Sequence, residues 1–345
     1  MRRWWTRTVV GFASVVVMAA PAAGTLLAPT SPTHVPPPVG TVAWDARHLP
    51  DPVRTDPGAV HRFLAGRSDG ADLAARYPGV VGDLDGAPVS LRYQANRDAM
   101  RAAGGRYARW PGNFLLFDPR GNGRVAQVFG DLTTADRIAV LVPGVDSRAE
   151  NFVRGLGDKT YRAPATQAAN LYRAAHHDRL AVIAWLGYDT PRGVGRDAAR
   201  EDLAAAGSVA LHRFLAGLTV VRPDATIALF GHSYGSTVIG LAAHALPRQV
   251  TDIAVFGSPG MGVNRAADLH TAATVWAGQS TSDWIRWVPG VRLFGLGHGT
   301  KPTDPSFGAH VFPTAKVPDH DHYLAPGTDS LAFLARVAAG TQVRS

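Results

Sequence analysis

From about Asn113 onward the chain alternates short apolar runs with helix-length segments, and that rhythm limits its fold more than any other feature. The runs are Phe114–Phe117, Val125–Phe129, Ile138–Val142, Leu180–Trp185, Thr226–Phe230, Ile253–Phe256 and Ala273–Trp276. Most lack a polar residue at every second position, so neither face of these strands is meant for water. Segments of helical character lie between them, the best being Ala198–Leu218. Strands buried on both faces and separated by helices predict a mostly parallel sheet covered on both sides. The first two runs are joined by a turn, Pro119-Arg120-Gly121-Asn122-Gly123, which predicts an antiparallel hairpin. No internal repeat interrupts the pattern.

Upstream the character changes. Arg2, Arg3 and Arg7 precede an apolar stretch, Val9–Ala20, followed by the small residues Ala20-Pro21-Ala22. This is the layout of an export signal, assigned to residues 1–23. Apolar character runs on through Leu27, so an uncleaved anchor fits as well. Either form places the remainder outside the cytoplasmic membrane, secreted or held there by its N-terminus. Residues 24–42 hold a run of prolines suited to an extended linker. Residues 43–109 read as an N-terminal helical accessory region, broken at Pro57-Gly58, Pro78-Gly79 and Gly104-Gly105. Residues 110–345 form the sheet-bearing domain.

With 46% hydrophobic and 18% charged residues over 345 positions, the chain has ample material for a core. Cysteine is absent, which excludes disulfides, thiolate nucleophiles and cysteine metal sites. The formal charge of +8 falls to +5 once Arg2, Arg3 and Arg7 are set aside. No dense arginine block interleaved with aromatics occurs, so no nucleic-acid partner is expected. The residual cationic character leaves room for association with a membrane or the cell envelope.

Gly231-His232-Ser233-Tyr234-Gly235 directly follows the Thr226–Phe230 run and opens a small-residue, helix-prone segment, Ser236–Leu246. A serine on a tight strand-to-helix turn projects its hydroxyl into a cleft, with a helix N-terminus behind it to favour negative charge. Other candidates fall at strand ends, where open α/β sheets gather function. Pro143-Gly144-Val145-Asp146 follows Ile138–Val142, and the N–H of Gly144 or Val145 could join that of Tyr234 in an oxyanion hole. A plain turn is the competing use of Pro-Gly. Asp283 comes just after the last run and between Ser233 and the late histidines, as the order serine, acid, histidine requires. Asp268 and Asp304 follow no strand directly, and a helix N-cap is the alternative role for Asp283. His298, His310, His320 and His322 all qualify as base by order, with His320 and His322 in a loop ahead of a C-terminal helix, Thr328–Val337. The Asp319-His320-Asp321-His322 run lacks a distant ligand set, so no metal and no other cofactor is expected. Trp185 and Tyr188 fit the core, and Asp189 before Pro191 fits a turn.

These residues together resemble the actinobacterial α/β hydrolases long catalogued as a domain of unknown function. The likeness covers about residue 110 to the C-terminus. It is carried by Val140–Gly144, by Ala184–Pro191, by the Gly231–Ser236 elbow, by Gly257–Val263 and by Phe307–His310. The resemblance implies an α/β-hydrolase fold with Ser233 as nucleophile and Asp283 as acid. Its histidine stands three residues before an aromatic, which prefers His320, with Tyr323, over His322; here Asp319 replaces the usual glycine before that histidine.

The expectation is an exported serine hydrolase that cleaves an ester or related acyl bond of a small molecule or lipid. Acyl transfer would use the same groups. The alternative is a non-catalytic envelope module that keeps the fold as a binding scaffold.

Overall fold

The computed structural model describes residues 36–292 and 296–341; the segment expected to direct export and most of the proline-rich linker lie outside them. Eight strands form one sheet in the order β1-β2-β4-β3-β5-β6-β7-β8. They are β1 (Asn113–Asp118), β2 (Arg124–Phe129), β3 (Arg137–Val142), β4 (Leu180–Leu186), β5 (Thr226–His232), β6 (Val250–Phe256), β7 (Thr274–Gly278) and β8 (His310–Val311). β1 and β2 pair antiparallel, as do β2 and β4, and every other pairing is parallel. This is the mostly parallel sheet that the strand rhythm predicts, in the α/β-hydrolase arrangement that the resemblance implies. The chain leaves β3 for β4 on one side and returns to β5 on the other, so β3 and β5 flank a crevice at their C-terminal ends.

Helices cover both faces because both faces of the strands are apolar. On one face α7 (Asp202–Val221) and α8 (Gly235–Ala242) bury Leu211, Phe214, Leu218, Val238 and Ile239 against Val140, Ile183, Leu229 and Val255. On the other, α6 (Pro164–Ala175) and α9 (Asp329–Ala339) bury Leu171, Phe333, Leu334 and Val337 against Leu141, Val182, Phe230 and Phe256. Trp185 and Tyr188 belong to the first of these cores. α7 starts four residues later than the sequence suggests, because residues 191–201 form an irregular loop at the crevice.

Among the described residues five α-helices precede the sheet: α1 (Thr41–Asp45), α2 (Pro57–Ala65), α3 (Gly70–Arg76), α4 (Pro78–Val81) and α5 (Val89–Ala103). They share a core of their own around Trp44, Leu64, Tyr77 and Leu84. They also close the exposed margin of β1. Asn96 Nδ2 donates to Phe114 O at 2.9 Å, Arg92 donates to Leu115 O, and Asp83 Oδ1 accepts from the Phe117 N–H at 3.2 Å. Backbone groups that an edge strand leaves unpaired are thereby satisfied from the helices.

Candidate active site

Ser233 sits between β5 and α8 with φ +53, in the left-handed region that non-glycine residues rarely occupy. Such backbone strain is the mark of a nucleophile elbow. The turn is too tight for a side chain at position 235, where a Cβ would come within 2.2 Å of Val142 O. The Tyr234 hydroxyl, buried behind the elbow, donates to Arg200 O at 2.6 Å and accepts from the Ala204 N–H at 3.1 Å. These bonds tie the elbow to the start of α7.

Asp283 follows β7 by five residues and is fully buried. Its Oδ1 accepts from the Ile285 N–H at 2.9 Å and from His320 Nδ1 at 2.9 Å; its Oδ2 accepts from the Tyr323 hydroxyl at 2.7 Å. The capping role and the histidine partnership, posed as alternatives by the sequence, coexist in one carboxylate. Burial pushes the Asp283 carboxyl up, but the hydrogen bond and charge of His320, with the Ile285 N–H and the Tyr323 hydroxyl, hold it below the usual carboxylate range. With Nδ1 turned to the carboxylate, His320 keeps its proton there and presents Nε2 as an acceptor. That Nε2 is buried and has no hydrogen-bond partner among the described residues.

Ser233, His320 and the Pro143-Gly144-Val145 turn line one cavity of about 110 Å³. The Ser233 side chain lies against Gly144, where a Cβ would come within 2.6 Å of its own Cβ, and makes no hydrogen bond to His320. The N–H groups of Gly144, Val145 and Tyr234 donate to nothing among the described residues. The Tyr188 hydroxyl donates to Pro143 O at 2.6 Å and so props the turn that carries two of them.

His322 stands apart. Its Nδ1 meets Asp319 Oδ1 at 2.6 Å and its ring stacks 4.0 Å from that of Tyr161, away from the cavity lining. His298 is buried with Nε2 on Ala198 O at 2.7 Å, and His310 is exposed on β8. Asp268 lies in a short helical turn, Ala266–Leu269, and Asp304 caps the Ser306 N–H. Asp189 is buried beside Asn122 and Arg124. No group of three or more His, Asp or Glu suited to a metal occurs among the described residues.

Sequence reasoning passed over four groups here. Tyr323 served only as a spacing marker, yet it holds Asp283. His232, the variable residue of the elbow, points Nε2 at His320 O at 2.8 Å; burial and the nearby His320 ring push its pKa down to about 4, so it donates there as a neutral ring. Trp284 walls the cavity with its ring 4.9 Å from that of His320. Gly257, after β6, has φ +54, and a Cβ there would come within 3.0 Å of Asp283 Oδ2 and 3.1 Å of His320 Nδ1. Its place in a Gly-Ser-Pro-Gly turn after a strand was the one signal the sequence held.

A family described as alpha/beta hydrolase has a sequence profile that matches residues 118–293. An uncharacterized protein of Mycobacterium tuberculosis is 30% identical over 315 residues, covering 78% of this chain and 47% of its own length. A second from the same species is 35% identical over 182 residues, 49% of this chain and 66% of its own. The chain thus spans about half the length of the first of these relatives. Among solved structures, an α/β serine hydrolase without a lid from Xanthomonas campestris is similar at 16% identity and a TM-score of 0.39, over 68% of this chain and 98% of that one.

Proposed function

The chain belongs to the α/β-hydrolase family, and from that membership we propose that it is a serine hydrolase acting on an ester or related acyl bond through Ser233, His320 and Asp283. One observation carries it: a serine held at φ +53 on a strand-to-helix turn lines the same cavity as a histidine bonded to a buried carboxylate. His320 Nε2 takes the Ser233 proton as Oγ attacks the acyl carbon. The oxyanion of the tetrahedral intermediate is received by the N–H of Tyr234 with that of Val145 or Gly144. Collapse expels the alcohol, which leaves with the proton from Nε2, and water then attacks the acyl-enzyme by the same route. Asp283 stabilises the imidazolium formed in each half. Acyl transfer differs only in the acceptor of the second half.

Export belongs to the same proposal, supported by the charged and apolar pattern of the N-terminal segment. The test of the chemistry is labelling with a fluorophosphonate probe. The wild type is expected to label and Ser233→Ala to fail, with turnover of an activated ester lowered at least about a thousandfold. Normal labelling of the alanine variant would remove Ser233 from the mechanism.

A further inference from the structure

The lining of the cavity and the loop that leaves it carry large apolar side chains exposed to water. Trp284 and Val194, both lining the cavity, are 41% and 63% exposed; farther along the loop that Trp284 opens, Trp287 is 77%, Val291 58% and Leu296 46% exposed. Isolated exposed residues need no explanation, but four along one loop that starts at the cavity do. The two loops form one rim, joined by bonds from the Gly297 N–H to Ala199 O at 2.8 Å and from His298 Nε2 to Ala198 O at 2.7 Å.

The charge of this loop favours one occupant. Between Trp284 and Lys301 the sequence has Arg286, Arg292 and Lys301 and no carboxylate. Arg292 is bridged to Glu201 at 2.6 Å, whereas Arg286 lies exposed with its guanidinium 4.5 Å over the Trp287 ring. Exposed tryptophan beside basic residues suits the boundary of an anionic bilayer, the rings at headgroup depth and the cations against lipid phosphates. A soluble protein partner would leave the one-signed charge of the loop without a reason.

We propose that the exposed side chains of Trp284, Trp287, Val291 and Leu296, with Arg286 beside them, dock the protein on an anionic lipid surface, so that an amphiphilic acyl ester enters the Ser233 cavity from the bilayer. Trp284 links the two regions, since it is both part of the rim and the neighbour of His320. The docking stands on the exposed side chains alone, and only the nature of the substrate rests on the serine-hydrolase proposal.

The absence of cysteine from the chain makes the test specific to the loop. Val291→Cys, labelled with a nitrobenzoxadiazole fluorophore, reports on the rim without disturbing the cavity or the N-terminal segment. Asp224→Cys, exposed just ahead of β5 at the opposite end of the sheet, is the control. In the full-length protein the probe at 291 is expected to brighten several-fold and shift to the blue on vesicles of phosphatidylcholine with phosphatidylglycerol, and far less on phosphatidylcholine alone. The probe at 224 should stay unchanged, and Arg286→Glu with Trp287→Ala should abolish the response at 291. An unresponsive probe at 291, an equal response on both vesicles, or a response that grows with protein concentration without lipid would each overturn the proposal, the last in favour of self-association. Because Ser233→Ala should bind vesicles normally, failure of docking and failure of fluorophosphonate labelling are separate results.

Discussion

Within the cavity the decisive groups are those that fix where protons sit. His320 and His322 are two positions apart, yet only His320 lines the cavity, while His322 is held by Asp319 and Tyr161. His320→Ala is therefore expected to lower turnover of an activated ester by several orders of magnitude, and His322→Ala chiefly to lower thermal stability. A dead but folded His322→Ala beside an active His320→Ala would exchange their roles. Tyr323 offers a finer measurement. Its hydroxyl, 2.7 Å from Asp283 Oδ2, also accepts the Ser280 N–H at 2.9 Å, so it locks the carboxylate to the strand-end loop. A hydrogen bond to a charged group is worth about 1.5–3 kcal/mol, which corresponds to a loss of about ten- to a hundredfold. Tyr323→Phe should show that loss in kcat with KM unchanged, because the hydroxyl touches Asp283 and not the cavity. A change confined to KM would show instead that Tyr323 shapes substrate binding.

Strand ends and turns do the positioning. Asp283 and the Gly257 turn lie beyond neighbouring strands, β7 and β6, and both converge on His320. At the far side of the sheet, α5 serves β1. Asn96 Nδ2 donates to Phe114 O and Gly82 O, both at 2.9 Å, from a nearly fully buried position. Asn96→Leu removes both donors; Gly82 O keeps Arg92 Nε at 3.2 Å, while Phe114 O loses its side-chain donor, at a cost of about 1–3 kcal/mol. A fall in the urea midpoint with unchanged slope is the expected outcome; an unchanged midpoint would mean that the helices do not stabilise this edge.

Across the whole molecule, the contact between helical region and sheet carries a pH dependence. Asp83 is half-buried there and, among the described residues, accepts a hydrogen bond only from the Phe117 N–H; desolvation, then the nearby Asp118 charge, push its pKa up to about 7. Between about pH 4 and 7 the folded protein keeps a proton on Asp83 that the unfolded chain has lost, so this group's contribution to stability falls as pH rises through that window. His232 acts in the opposite sense. Its pKa is about 4 when folded, so its contribution falls as pH drops from its unfolded value of about 6.5. Asp83→Asn preserves an acceptor for Phe117 and is expected to flatten the decline toward pH 8 by a few kcal/mol, as seen in denaturant midpoints at pH 5 and 8. Parallel curves for variant and wild type would show that Asp83 ionises freely.

The fold class was legible because continuous apolar strands such as Leu180–Trp185 and Thr226–Phe230 admit only a sheet covered on both faces, a local property of composition. The elbow was equally local, being a strand, two glycines and a serine within a few residues. The order of Ser233, Asp283 and His320 along the chain was visible too, but not their distances. Two-residue β8 left no pattern, since one pair of residues has no period. The resemblance favoured His320 over His322, but that only His320 lines the cavity, that Tyr323 clamps Asp283, and that Arg92 and Asn96 seal β1 were decided by the tertiary structure. Each depends on groups from 18 to more than 100 positions away, such as Asn96 with Phe114 and His322 with Tyr161. Periodicity reports which face of an element is buried, and not which distant side chain it meets there.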